Sequence, residues 1–280
     1  MKHLIVSCCL NLLCLGSSLA ADLMIVATEK PVRLIRGVQT FKAGPGVVLQ
    51  KGDILESGMQ TVQIEMAPAM VMSVAPHARL YLADVGARLE LAVLDGWLKV
   101  RSKGTPLVLQ SGWLRSRSDS GSLVFHAEAG KSELFPEEGE VMVTASGAGS
   151  ADPAAQKITQ EQYVLHPASQ PLKIMARPAK EFLAAIPKPF RDALTSQAAK
   201  LNGKTVAPDP EYDIQYADVE AWLKTDLAVK KEFFKRFKPM LKNPDFRRSL
   251  EAELGQVPEW KLALHPAQKK SSSPSGTTLY

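Results

Sequence analysis

The chain has 280 residues, 45% hydrophobic and 22% charged, which excludes wholesale disorder and leaves room for one large domain or two ordinary ones. Its 34 Lys and Arg exceed its 29 Asp and Glu, and the excess is local: residues 22–176 carry 15 basic against 16 acidic side chains, residues 177–280 carry 18 against 13. A basic domain ordinarily meets nucleic acid, but an exported chain does not, so no nucleic acid is expected; an anionic envelope polymer or lipid headgroup is the expected partner, against the plainer reading of a solvated face.

The first twenty residues read as a cleavable secretory signal. Met1-Lys2-His3 is a short basic start, Leu4 to Leu15 is apolar but too short to span a bilayer, and Ser18-Leu19-Ala20 is a small-x-small site. Cleavage is expected after Ala20, with the mature protein periplasmic or secreted. All three cysteines, Cys8, Cys9 and Cys14, fall in this leader, so thiol nucleophiles, thiolate metal sites and disulfides are not expected beyond it. Leu13 before Cys14 is a poor lipidation site, and an uncleaved anchor helix is disfavoured by the length of the apolar run. No transmembrane segment is expected in the mature chain.

From residue 31 to 145 apolar side chains recur at every second position, as in Val62-Gln63-Ile64-Glu65-Met66, Leu80-Tyr81-Leu82, Leu89-Glu90-Leu91, Leu98-Lys99-Val100 and Leu107-Val108-Leu109. This is the period of half-buried strands. Lys51-Gly52-Asp53, Asp95-Gly96, Lys103-Gly104, Ser120-Gly121 and Glu138-Gly139 separate them with turn chemistry, and Asp53 is placed to bind backbone N–H groups of its own turn. Residues 21–145, with a possible extension to 176, are therefore expected to form an all-β domain of many short strands, arranged as a roll, a sandwich or a β-helix-like stack. Residues 146–177 read as a linker with one short strand near Tyr163-Val164-Leu165.

From Pro178 the period becomes helical. Phe182, Leu183 and Ile186 share a face that ends at Pro187; a second helix is expected from Pro189 through Phe190, Leu194 and Leu201, closed by Asn202-Gly203. Val206 to Glu211 reads as a Pro-rich connector. Tyr216, Val219, Trp222 and Leu223 recur at helical spacing, and Val229, Phe233, Phe237 and Leu241 continue it. Asn243-Pro244-Asp245 is a helix start and Gly255 its stop, and Pro258 opens a last short helix. Residues 178–266 are thus a small α-helical module and 267–280 a disordered tail; the fold class is α+β in two segregated parts.

The β half resembles the FecR domain, the envelope-side portion of ferric-citrate-type regulators. The resemblance rests on Val32-Arg33-Leu34-Ile35-Arg36-Gly37, on Gly52-Asp53-Ile54-Leu55-Glu56-Ser57-Gly58 with Ser57 for the usual Thr, and on Pro76-His77-Ala78-Arg79-Leu80 with Ala78 for Ser. Leu94-Asp95-Gly96-Trp97-Leu98-Lys99-Val100 and Glu138-Gly139-Glu140-Val141-Met142-Val143 complete the order. It implies a β module used for envelope signalling. Those regulators carry a cytoplasmic anti-sigma segment and a membrane span before this domain; here a cleavable signal stands in their place, so the anti-sigma role is not implied.

A catalytic constellation is not evident. His77, His126, His166 and His265 are scattered, with His77 and His166 expected in solvated loops beside prolines, and Glu137 and Glu138 point apart in an extended segment. No cofactor, metal or catalytic residue is assigned, and the chain is expected not to be an enzyme. Trp97 and Trp113 follow glycines and are candidate aromatic contacts for a glycan or partner, with burial in the core as the plainer reading. Lys230, Lys231, Lys235, Arg236 and Lys238 form a candidate surface for an anionic partner over a Phe233/Phe237 stripe. The expected function is an exported envelope binding or scaffolding protein whose partner is an envelope protein or anionic envelope polymer. An envelope sensor is the alternative, and a polysaccharide-acting enzyme a remote one.

Overall fold

The computed structural model describes residues 22–146 and 154–266. The expected leader with its cysteines, the middle of the linker and the expected tail lie outside the described residues. Within them the strands are β1 (Leu23–Ala27), β2 (Val32–Arg36), β3 (Gln39–Ala43), β4 (Ile54–Glu56), β5 (Val62–Met66), β6 (Met70–Val74), β7 (Arg79–Val85), β8 (Leu89–Ser102), β9 (Leu107–Gln110), β10 (Leu114–Ser118), β11 (Gly121–Glu128), β12 (Lys131–Ala145), β13 (Gln156–Thr159), β14 (Tyr163–Pro167), β15 (Lys173–Met175) and β16 (Asp209–Asp213). The helices are α1 (Lys180–Ala185), α2 (Tyr216–Leu223), α3 (Lys230–Phe237), α4 (Pro244–Leu254) and α5 (Pro258–Leu264). Strands fill the first two thirds and helices the end, as the change of period predicts.

The strands build a sandwich of two sheets joined by two long strands that pass from one to the other. The first sheet runs β1-β5-β6-β8-β11-β12-β14-β15. The second runs β16-β3-β2-β4-β7-β8-β9-β10-β12-β13, antiparallel except for β8 with β9. β8 pairs with β7 and β9 up to Asp95, then with β6 and β11 from Gly96. β12 pairs with β11 and β14 up to Gly139, then with β10 and β13. Both corners need a left-handed residue: Gly96 has φ +102° and Gly139 φ +81°.

Alternation sends one set of side chains inward. Leu34, Leu80, Leu91, Leu109 and Val141 from one sheet meet Ile25, Ile64, Met72, Val100 and Phe125 from the other. The outer faces are also covered. Ile35, Ile54, Tyr81 and Ala92 on the outside of the second sheet share a cluster with Val219, Trp222, Phe233, Phe237, Leu250 and Trp260 of the helices. Ala75, Val124 and Tyr163 on the outside of the first sheet pack with Phe182 and Phe190 of the segment that follows β15.

Three expectations are corrected. The stretch 146–177 carries β13, β14 and β15 rather than one strand, because Ile158 and Val164 complete the inner core while Tyr163 faces the outer cluster. The helix expected from Pro189 is a mostly irregular segment with two 3-10 turns, Lys188–Phe190 and Ala198–Leu201. Its apolar residues, Phe190 and Leu194, are anchors on a sheet face rather than one side of a helix. The Pro-rich connector is β16, which pairs with β3. The later helices are as expected: Asn243 Oδ1 accepts from the N–H groups of Asp245 (3.0 Å) and Phe246 (3.2 Å) and starts α4.

Candidate functional site

The basic helix is real, and only part of it is free. α3 buries Phe233 and Phe237 against the second sheet, with the Phe233 ring edge-on to Tyr81 at 4.9 Å between centroids. Lys231, Lys235 and Lys238 are exposed, Lys230 half-buried. Past α3 the chain continues as a 3-10 turn to Lys242, which is also exposed. Lys231, Lys235, Lys238 and Lys242 thus recur at helical spacing in one cationic ridge. Among the described residues none of the four lies in an ion pair; the pairs nearby join Lys224 to Glu220 and Glu253, Arg248 to Asp245, and His265 to Glu251.

Arg236 does not belong to that ridge. Its guanidinium donates to the carbonyls of Gly37 (2.6 Å), Gly52 (2.5 Å) and Ile35 (3.1 Å), at the end of β2 and in the turns that follow β2 and precede β4. Burial pushes its pKa below the ordinary value. The planar fork is spent on holding the helical module to the β-turn of Gly52, so this residue drops out of the candidate contact surface. In the sequence it is one base among five; only the tertiary contact distinguishes it.

Trp97 and Trp113 are both half-buried. Trp97 stacks on His126 across β8 and β11 with 4.0 Å between ring centroids, and its indole also meets Phe182 at 5.3 Å. The Trp113 indole N–H donates to the carbonyl of Ala129 at 3.3 Å. His166, expected in a solvated loop, is instead buried on β14 with Nδ1 against the Trp113 carbonyl. His77 is exposed in its turn, as expected.

Beside Trp97 lies a polar cluster that the sequence does not disclose. Glu133, 4% exposed, contacts His126 Nδ1 at 2.7 Å, Lys131 Nζ at 3.1 Å and the Tyr163 hydroxyl. Burial alone would raise the Glu133 carboxyl; the hydrogen bonds from His126, Tyr163 and Lys131 outweigh it and hold its pKa at about 2. An ionised carboxylate only accepts, so His126 Nδ1 carries the proton and Nε2 is left toward Glu128, 4.0 Å away. Burial and the Glu133 charge together push the Tyr163 hydroxyl far up, so it stays a donor. The group faces a pocket of about 540 Å³ closed by Phe182 and Ala185 of α1. Its acid–base groups are spent on one another: Tyr163, the hydroxyl nearest the imidazole–carboxylate pair, is bound to the carboxylate itself. Residues spaced seven and thirty apart meet only through strand pairing, and no local motif announces them. Among the described residues no three or more His, Cys, Asp or Glu are grouped to hold a metal, and no helix is long and apolar enough to cross a membrane.

No family model matches the chain, and no curated protein matches it. Two solved structures of a protein from Parabacteroides distasonis, provisionally named an anti-sigma factor, are similar at 11% and 12% identity, with TM-scores of 0.38 and 0.37. The likenesses span 47% and 46% of this chain and 63% and 61% of that protein, less than two thirds of its length.

Proposed function

We propose that this is an exported, non-catalytic binding protein of the cell envelope, built on a FecR-like β module, whose helical module meets an anionic envelope polymer. The observation that supports this is the ridge of Lys231, Lys235, Lys238 and Lys242. All four lysines are exposed and in no ion pair among the described residues. Lys231 and Lys235 stand on a helix whose opposite face is fixed by Phe233, Phe237 and Arg236, and Lys238 and Lys242 on the 3-10 turn that continues it, with the Lys238 ammonium 5.8 Å from the Phe234 ring. Because the base is a fixed helix and turn, meeting a row of negative charge orders only the lysine side chains and costs no backbone freedom. The buried charges Glu133, Lys99 and Glu65 are committed to internal partners.

Sedimentation with purified cell-wall polymer, and separately with vesicles of anionic lipid, tests the reading. Binding to the polymer should fall as salt rises, because exposed charges are screened over about 8 Å at physiological ionic strength. Lys231→Gln/Lys235→Gln/Lys238→Gln should remove it. Equal sedimentation of the triple variant refutes the proposal, and binding to vesicles alone replaces the polymer by a lipid surface.

A further inference from the structure

The two outer faces of the sandwich are covered in different ways. On the second sheet the cover is apolar and helical. On the first sheet it is α1 followed by the irregular segment 187–201, and the attachment of that segment at the β5–β6–β8 end is polar. Lys99 Nζ, almost wholly buried, donates to the backbone carbonyls of Phe190 (2.8 Å) and Asp192 (2.9 Å) and pairs with Glu137 at 2.8 Å. Gln63 Nε2 donates to the carbonyl of Thr195 at 2.8 Å. Glu65, 2% exposed, accepts from the Gln197 N–H at 2.7 Å and from Ser196 Oγ at 2.5 Å.

Four of these contacts reach the main chain of the segment. Strand pairing aligns Gln63, Ser73 and Lys99 in one row across β5, β6 and β8, so the readers stand on rigid strands rather than on a loop. The side-chain anchors are few. Phe190 is buried among Ala75, Val124 and Tyr163, and Leu194 is 7% exposed. A cavity of about 540 Å³ remains beside the segment, bounded by Gln63, Ser73, Pro189, Leu194 and Gln197. The cover leaves space on this side. Of the bonds holding it, the Gln63 contact is neutral and contributes about 0.5–1.5 kcal/mol net, while those of Lys99 and Glu65 are charge-assisted at about 1.5–3 kcal/mol each, and all of them go to groups that water or another main chain can replace.

We propose that the face of the first sheet carrying Gln63, Glu65 and Lys99 is a docking site for an extended polypeptide segment of a partner protein, occupied in cis by residues 187–201. The contacts define the partner. It presents backbone carbonyls to Lys99 and Gln63. It places an aromatic side chain in the Phe190 position and, six residues later, a hydroxyl or amine opposite Glu65, whose carboxylate has no cationic partner among the described residues. Glu137 already balances Lys99, so an acidic segment is disfavoured. This site is separate from the cationic ridge, which lies on the helical cover of the other sheet.

Two measurements on the full chain decide it. In hydrogen exchange, the Gln197 amide should exchange at least about tenfold faster than those of Trp222 and Leu250, because the segment lifts without global unfolding. In titration with a fluorescent synthetic peptide of residues 187–201, Phe190→Ala/Ser196→Ala should bind at least about tenfold tighter than the unaltered chain, since its own segment competes less. Adding Lys99→Met should cancel that gain, and a scrambled peptide should not bind. Exchange of Gln197 as slow as Leu250 overturns the proposal. So does fast exchange without a gain in peptide affinity. If the double variant does not fold, Ser196→Ala alone takes its place in the peptide titration, with the same expected direction and the same outcomes.

Discussion

A methyl group on Gly96 would lie 2.4 Å from Cβ of Ala78 and 2.5 Å from its Cα. Those atoms are backbone or bound directly to it, so neither can move aside. The corner where β8 leaves one sheet for the other thus rests on the chain just before β7, and the two positions are small for one reason. Gly96→Ala combines this clash with a φ of +102°. Left-handed backbone costs an L residue roughly 1–2 kcal/mol and overpacking roughly 1–3 kcal/mol. The expected loss, read from urea unfolding, is about 3 kcal/mol or more. Adding Ala78→Gly relieves the Cβ contact but neither the backbone contact nor the strain, so the double variant should recover only part of the stability. Full recovery would show that the backbone conformation is not the constraint.

Arg236 and the lysines beside it should separate stability from binding. Arg236→Gln strips three carbonyls of a charged donor, at about 1.5–3 kcal/mol for a hydrogen-bonded charged group. Arg236→Lys should recover little, because one ammonium cannot reproduce the fork. Lys231→Gln/Lys235→Gln/Lys238→Gln should leave the unfolding midpoint nearly unchanged. Phe237→Ala, fully buried, should cost about 3–5 kcal/mol. Thermal midpoints of the four variants test the ordering.

Glu133 makes the fold sensitive to acid. Its pKa in the fold, about 2, is depressed below the ordinary value of 4.5, so its contribution is present above the unfolded value and lost as pH falls through the folded one. The expected loss is roughly 3 kcal/mol between about pH 4.5 and pH 2. Urea unfolding at stepped pH measures it. Glu133→Gln should be less stable at neutral pH and show a flatter acid limb; an unchanged acid limb would move the sensitivity elsewhere.

Cutting the chain after residue 176 removes the cover from both outer faces. Ile35, Ile54 and Tyr81 on one sheet, and Val124 and Tyr163 on the other, would meet water. The fragment should keep its β circular dichroism, bind a hydrophobic dye and self-associate on gel filtration. A monomeric, dye-silent fragment would contradict the packing described for both faces.

Period and turn chemistry made most of the elements legible. Val62-Gln63-Ile64 and Leu89-Glu90-Leu91 alternate and are strands, and Asn243-Pro244-Asp245 starts a helix. Asp53 accepts from the Gln50 N–H of its own turn at 2.8 Å, as its position beside Gly52 suggests. The same carboxylate also takes a two-pronged contact from Arg36, at 2.9 and 2.7 Å, which no local pattern shows. β16 was illegible because Asp-Pro-Glu-Tyr-Asp is exposed at every position and has no alternation to read. Phe190 and Leu194 share a helical spacing by coincidence: Phe190 is fixed by Ala75, Val124 and Tyr163 of the first sheet, and Leu194 lies beside Gln63 and Ser73 of the same sheet. Of the candidate contact residues, position along α3 predicted the exposure of Lys231, Lys235 and Lys238. It could not predict the fate of Arg236, which depends on where the Gly52 turn lies in space.

β16 also settles what another molecule would find at that side of the sandwich. By pairing with β3 it becomes the outermost strand of the second sheet, and it brings Pro210, which has no N–H to offer, between the carboxylates of Asp209 and Glu211, with Asp213 beyond. Two copies meeting there would face like charges and a gap in the hydrogen-bond ladder. The chain that ties the helices to the sandwich therefore also disfavours edge-to-edge pairing of two copies along β16.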